Sequence, residues 1–415
     1  MLLEIHFHPT RSIPFTVSML LMVCMMSLTS CQKDEDHLEP IPYQVLESIL
    51  STNDITVDDV KDSMIDMLRD AGYDERMIAP YEDKIQMASL RARKYTAYTI
   101  SYHTVDPNGV PVIASGVVYY PKSGTPRGVI EAVSYNPAKG GCASKQIINL
   151  QQAQGMAGFI VLVPDQIGCG TTESQPIPLF YNENVARVSA DFRLAATELV
   201  RNVHGRDMPQ WTLITGISLA ASGVWALARY YHMHPEMGVN VNQIWMAAGV
   251  YNNIMTFEHL LSTRYSDFAY IPNGLYSLNH YAGLGLNLED MFTGELKEHY
   301  MEWCTGYVSL FELSERLGPN LDEYLNLDFF KEENPDYLRL KACIEGLTIP
   351  NDWIPSCPVH IYHGRNDNVI PFMSSQELVD YLRSVGAKVD FKVIEGDHTD
   401  ACVEMEIDLI EHLYK

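Results

Sequence analysis

The spacing of apolar positions changes several times along the chain, and each change predicts a different element. Residues 15–28, FTVSMLLMVCMMSL, form one apolar run. It is short for a membrane-spanning helix and of the right length for a signal-peptide core. Over 43–92 the spacing reads as helical. Thr56 predicts a cap with Asp59 three residues on, Val60, Met64, Ile65 and Leu68 repeat on one face, and Gly72 stops the helix. From about Lys94 the period drops to two. YTAYTISYHT alternates, DPNG turns and VPVIASGVVYY returns, which predicts an antiparallel hairpin leading into a sheet.

Beyond the hairpin, short apolar runs alternate with helical ones. GVIEAVSY (128–135) and GFIVLVP (158–164) predict buried parallel strands, with a helix at about 145–156 between them. Asn184 is the expected cap of the next helix. Its apolar face is Val188, Phe192, Ala195, Leu199 and Val203, and Gly205 ends it. WTLITG, LAASGVWALARYY and QIWMAAGVY then read as strand, helix, strand. The alternation stops near Tyr251. Residues 252–352 are rich in tyrosine, leucine and acids, with helical spacings and turns such as Ile271-Pro272-Asn273-Gly274. It resumes with CPVHIYHG (357–364), a helix over 375–386 boxed by Ser374 and Glu377, the strand VDFKVIEG (389–396) and a last helix over about 400–413. This order predicts an α/β fold: a mostly parallel sheet with an antiparallel N-terminal hairpin, flanking helices and a helical cap inserted at 252–352. The core is then 93–251 plus 353–415, preceded by a helical segment at 43–92.

The N-terminal run ends in Leu28-Thr29-Ser30-Cys31, which resembles a lipobox. That resemblance implies a lipoprotein signal peptide over 1–30, lipidation of Cys31 and a membrane anchor there. The polar, acidic stretch after Cys31 reads as a tether over 31–42. Gln32, in place of an aspartate, resembles the sorting signal of Gram-negative outer-membrane lipoproteins, so the expected location is the cell envelope, periplasmic or surface-exposed. Cleavage removes Glu4 and Arg11, which cancel, and leaves the formal net charge at −24. Such a surface repels nucleic acid, which is excluded as a partner. Of the eight cysteines, Cys24 leaves with the signal and Cys31 carries lipid. Cys142, Cys169, Cys304, Cys343, Cys357 and Cys402 remain, enough for three disulfides in an exported chain, with Cys343 and Cys357 the first pair to expect.

Three short stretches carry chemistry. Gly216-Ile217-Ser218-Leu219-Ala220 lies between a strand and a helix of small residues, the context in which a strained turn exposes a serine nucleophile above a sheet. The flanking positions must be small because strand and helix backbones nearly touch; Gly216 meets this, and Ala220 adds one methyl. His363-Gly364-Arg365-Asn366-Asp367-Asn368-Val369-Ile370-Pro371 follows a buried strand, where an aspartate can face a histidine across the crevice. Gly396-Asp397-His398-Thr399-Asp400 follows the last strand and puts His398 in a polar loop.

The order Ser218, Asp367, His398 is the nucleophile–acid–base order of α/β-hydrolases, and the chain resembles that superfamily. More narrowly it is similar to secreted lipase-like esterases, which in turn resemble prolyl-oligopeptidase-type hydrolases. The stretch from Gly158 to Gly170 resembles that group's strand followed by D-Y-x-G-x-G, with Gln166 in the tyrosine's place. The resemblance implies an ester-cleaving serine hydrolase acting on a small-molecule or acyl-ester substrate, with no cofactor and no metal. It implies an oxyanion hole made by the Leu219 N–H and a second N–H from the loop Ser134-Tyr135-Asn136-Pro137. Pro137 has no N–H, so Tyr135 or Asn136 supplies it. A peptidase, and an inactive hydrolase fold serving as a surface binding module, remain the alternatives. His232-Met233-His234 is a weaker metal candidate without a carboxylate or cysteine set. Asp165 is expected to organise the turn after its strand. Tyr265, Tyr270, Tyr276 and Tyr281 either line a pocket or pack the insertion onto the core.

Overall fold

The computed structural model describes residues 44–70, 74–76, 78–79, 81–82, 92–134, 139–145 and 157–415. The signal-like run, Cys31, the helix expected at 145–156 and the pair Tyr135 and Asn136 lie outside the described residues. Among the described residues there is one nine-stranded sheet. In chain order its strands are β1 (Leu46–Ile55), β2 (Tyr95–Val105), β3 (Pro111–Pro121), β4 (Val129–Ala132), β5 (Ile160–Pro164), β6 (Trp211–Ile217), β7 (Asn240–Ala247), β8 (Val359–Gly364) and β9 (Val389–Ile394). Across the sheet the order is β1-β2-β3-β5-β4-β6-β7-β8-β9. The first four are antiparallel neighbours, and from β5 to β9 every pairing is parallel.

Strict alternation in the strands decides which helices cover which face. Val118, Val129 and Leu162 point into a cluster with Val188, Phe192, Ala195 and Leu199 of helix α2 (Asn182–His204). Ile214, Ile244 and Ile361 face helices α3 (Leu219–Met233) and α9 (Phe372–Ser384). The alternate residues Val117, Ile130, Leu213 and Ala247 face the other way. They meet Leu68 of helix α1 (Val57–Asp70) and Met405, Leu409 and Leu413 of helix α10 (His398–Tyr414). Between β7 and β8 the chain inserts helices α4 (Asn253–Thr263), α5 (Ile271–Tyr281), α6 (Gly294–Trp303), α7 (Leu310–Leu317) and α8 (Pro335–Gly346). These share one apolar cluster that also takes in Val369 and Ile370 beside Asp367.

Several sequence expectations are corrected. The segment 43–92 is not wholly helical: Leu46–Ile55 is an edge strand paired with β2. Most of its side chains are at least partly exposed, so it carries little apolar signal of its own. It is held by pairing and by the Glu198 carboxylate, which accepts from Val45 N at 3.0 Å and Leu46 N at 2.9 Å. The cap at Thr56 does form, with Asp59 N donating to Thr56 Oγ1 and Thr56 N donating to Asp59 Oδ2. Helix α2 starts before Asn184, whose side chain instead donates to Val105 O at 2.9 Å, and Val203 is exposed. Ile271-Pro272-Asn273-Gly274 is the first turn of α5, with Pro272 in the position where its missing N–H costs nothing.

Ser374 and Glu377 do not box α9, which begins at Phe372. Ser374 Oγ donates to Gly249 O at 2.8 Å and accepts from Tyr251 N at 2.9 Å, while Glu377 accepts from Asn252. The six described cysteines are free. Cys343 packs in the cluster of the insertion and Cys357 in the cluster beneath β8, so the expected pair sits in separate cores. Ser374 thus pins the crossing from β7 into the insertion. Ser374→Ala strands a buried carbonyl and a buried N–H, and it should lower unfolding free energy by roughly 1–3 kcal/mol. The shift of a urea midpoint at constant slope measures this.

Candidate active site

Strand β6 ends in Ile217, and the next residue turns the chain into α3. Ser218 has φ 55° and ψ −130°, a backbone conformation costly for any residue with a side chain. The turn is held by Ser218 N donating to Ala247 O at 2.8 Å and by Ala221 N donating to Ser218 O at 3.0 Å. A Cβ at Gly216 would lie 2.8 Å from Val224 Cγ2 and 3.1 Å from Ala220 O and Val133 O. That is the physical need for a glycine there. Ala220 packs in the cluster that holds Val133 and Ile214, with its methyl buried, so the alanine that breaks the motif is accommodated in the core.

Asp367 sits in the turn after β8. Its Oδ1 accepts from Val369 N and Ile370 N, both at 2.8 Å, which fixes the carboxyl plane. Its Oδ2 accepts from His398 Nδ1 at 2.8 Å. His398 Nε2 lies 2.9 Å from Ser218 Oγ, placed to accept the hydroxyl proton. Serine, histidine and aspartate thus form one hydrogen-bonded relay across the C-terminal edge of the sheet. Burial alone pushes the Asp367 carboxyl up. The His398 and His363 imidazoles outweigh burial, and the group lies well below the usual carboxylate range. The two imidazoles thus favour its ionised form.

His398 is not in a loop, as its neighbours suggest. It is the first residue of α10, whose cap is Asp397 boxed with Asp400. The positive end of a helix dipole opposes an imidazolium at that spot, and the Asp367 carboxylate beside Nδ1 counters it. Gly364 makes the approach possible. A Cβ there would collide with the Asp397 carbonyl and come within 2.8 Å of Gly396 O. The turn that presents His398 therefore lies directly on the end of β8.

Of the oxyanion candidates, Leu219 is at the start of α3, where a helix leaves its first N–H groups without an internal acceptor. Val133 N donates to Thr215 O and brings the strand before Ser134 level with the elbow. The chain after this loop is braced from two sides. Asp165 Oδ1 accepts from Ser144 N at 3.1 Å and its Oδ2 from Ser115 Oγ at 2.5 Å, so its carboxylate ties residue 144 to β3. Lys139 N donates to Gly306 O at 2.9 Å, and its ammonium lies 4.3 Å from the Tyr307 ring centre in the insertion.

His363 belongs to the motif around Asp367 and also has a structural role of its own. The imidazole is fully buried, with Nε2 3.0 Å from Ile370 O and 3.3 Å from Asp367 Oδ2. A proton on Nε2 satisfies both, and Nδ1 then accepts from Ser375 Oγ at 2.7 Å. A histidine directly before the glycine that ends a buried strand was the available signal. Other candidates stay apart. Among the described residues no group of His, Cys, Asp and Glu is arranged to hold a metal, and His234 pairs with Glu236. Tyr270 is buried against Phe180, with its hydroxyl 3.4 Å from Val369 O, and Tyr281 donates to Pro176 O at 2.6 Å. Both pack the insertion onto the core. Tyr276 packs against the same cluster, and Tyr265 is exposed.

The strand order, the serine elbow after β6, the acid after β8 and the histidine after β9 define the α/β-hydrolase fold. No family model matches the sequence, and no curated protein matches it. Solved structures do. A provisionally assigned hydrolase from Legionella pneumophila superposes with a TM-score of 0.75 at 17% identity, over 88% of this chain and 97% of that one. The rice cell wall degrading esterase LipA from Xanthomonas oryzae gives 0.68 at 16% identity, over 88% and 96%. Candida antarctica lipase A gives 0.57 at 11% identity, over 86% and 81%.

The glycine squeeze gives a sharp expectation. Gly216→Ala forces strand and helix apart and should cost roughly 1–3 kcal/mol in a denaturant titration. Ala220→Gly, which restores the motif to the letter, should not stabilise the protein. It should cost up to about 1 kcal/mol, because a buried methyl is lost and glycine weakens the helix. A gain in stability from Ala220→Gly would contradict this account of the elbow.

Proposed function

We propose that the protein is a serine hydrolase that cleaves carboxylic esters through an acyl-enzyme, with Ser218 as nucleophile, His398 as general base and acid, and Asp367 as its partner. The observation that carries this reading is the continuous relay from Ser218 Oγ to His398 Nε2 at 2.9 Å and from His398 Nδ1 to Asp367 Oδ2 at 2.8 Å. Ser218 Oγ attacks the acyl carbon while His398 takes its proton. The same proton then goes to the leaving alcohol oxygen as the acyl C–O bond breaks. Asp367 keeps Nδ1 protonated and stabilises the imidazolium. Leu219 N–H and one N–H from Tyr135 or Asn136 hold the oxyanion. Water, activated by His398, releases the acid and restores Ser218. The substrate is a small-molecule or acyl ester. An ester is favoured over a peptide because the neighbours named with an activity are an esterase and a lipase. The mature chain is anchored through lipid on Cys31 in the outer membrane of the cell envelope, a reading supported by the apolar run and the Leu28-Thr29-Ser30-Cys31 end.

A fluorophosphonate probe tests the nucleophile. Wild type should label once, and Ser218→Ala should not label. Asp367→Asn should fold and lose roughly 10⁴-fold in kcat on p-nitrophenyl esters, since the wrong imidazole tautomer then faces Ser218. Preferential turnover of aminoacyl anilides over p-nitrophenyl esters would make the protein a peptidase instead. For the anchor, the full chain expressed in a Gram-negative host should partition into detergent on phase separation, and Cys31→Ser should move it to the aqueous phase. Aqueous partitioning of wild type would remove the anchor from the reading.

A further inference from the structure

An aromatic file leads from the reacting histidine to solvent. The Phe268 ring stands edge-on to His398 with ring centres 6.3 Å apart and planes at 61°. Phe311 stands edge-on to Phe268 at 5.3 Å and 83°. Phe268 is half-buried against the core of the insertion, while Phe311, in the first turn of α7, is 66% exposed. The pair is held in place and does not simply lie on the surface: Ala269 N donates to Ser314 Oγ of α7 at 2.9 Å, so the residue after Phe268 is fastened to the helix that carries Phe311. A lone exposed phenylalanine needs no explanation. One that continues an edge-to-face series ending on the imidazole of the relay leaves an aromatic face open beside the site.

Chemistry decides which arm of the substrate meets that face. In acylation the proton on His398 Nε2 goes to the oxygen of the departing alcohol, so the alcohol lies against the imidazole. The rings that border the imidazole therefore stand on the side from which the alcohol departs. Resting on the esterase reading above, we infer that Phe268 and Phe311 form a specificity shelf for the alcohol arm, and that the substrates are esters of alcohols bearing an aromatic ring. The ring of the alcohol adds a further edge-to-face or offset partner to a series that already exists, an arrangement better than plain apolar burial.

The test uses the full-length protein and two series of esters. In one, acetates carry methyl, butyl, cyclohexylmethyl, benzyl and naphthylmethyl alcohols. In the other, benzyl esters carry acyl chains of rising length. Wild type should favour benzyl and naphthylmethyl over cyclohexylmethyl acetate in kcat/KM. Phe311→Ala should lower the benzyl-to-methyl ratio by about three- to tenfold, the range that one aromatic pair supplies. Phe311→Tyr should keep that ratio. The dependence on acyl length should have the same shape in wild type and Phe311→Ala, because the pair borders the alcohol arm and the acyl chain lies on the other side of the scissile bond. Phe311 is exposed, so its truncation is not a folding test; Phe268→Leu is the second variant and should lower the same ratio. An equal loss across all alcohols, a loss that follows acyl length, or equal rates for benzyl and cyclohexylmethyl acetate would overturn the shelf while leaving the esterase reading intact. Failure of wild type to cleave any ester would overturn both.

Discussion

Everything at the site hangs on one buried carboxylate. Asp367 has no exposed side-chain surface, and an ionised carboxylate in such a place is expensive unless every lone pair is met. Here two backbone N–H groups meet Oδ1, and His398 with His363 meets Oδ2. Each donor comes with a structural consequence. The Val369 and Ile370 amides fold the turn after β8. His363 ties that turn to Ser375 of α9. His398 brings in the start of α10, and through Nε2 the elbow at Ser218. Remove the side chain and the end of β8, α9, α10 and Ser218 lose the centre they share.

The core of this arrangement was legible in the sequence because its signals are local. A buried strand that ends in a tight polar turn looks the same whatever packs on it, so β6, β8 and β9 and the residues just past them could be read. What escaped is long-range. Leu46–Ile55 is a strand because β2 offers it a free edge and Glu198, far along the chain, accepts its first amides. Ser374 has the look of a helix cap, yet its hydroxyl spans to Gly249 and Tyr251. Asn184 likewise leaves its own helix to reach Val105. Short polar side chains favour caps by local propensity alone, and a buried backbone group elsewhere outbids that preference. Cys343 and Cys357 are near in sequence, but the chain between them carries one into the insertion and the other under the sheet.

His363 shows a different limit. Its identity was visible, but its role needs Ile370 and Ser375 on either side of the ring. Phe268 and Phe311 are similar: nothing in the composition of 252–352 separates them from the other aromatics that pack the insertion. Only the edge-on contact with His398 does so.

Strain gathers where this geometry is tightest. Among the described residues four that are not glycine have positive φ: Phe180, Ser218, Ala248 and Arg264. Three of them belong to the neighbourhood of the crevice. Ser218 is the elbow. Ala248 follows β7 and donates to Tyr362 O of β8 at 2.9 Å. Phe180 packs on Tyr270, which itself reaches the turn of Asp367 at Val369. Such conformations cost of order 1–3 kcal/mol each and persist only where the surroundings fix them. At Ser218 the fixing contacts are the Ala247 carbonyl, the Ala221 amide and the squeeze of Gly216 against α3. All three are backbone contacts or small-residue packing, which barely relax. The Ser218 hydroxyl is therefore presented by backbone contacts and close packing. On the other side a helical insertion carries the aromatic pair, joined to the core through the Tyr270, Tyr281 and Lys139 contacts. The relay and the aromatic pair thus come from separate segments, which meet where Phe268 stands beside His398 and where the insertion packs on Val369 and Ile370.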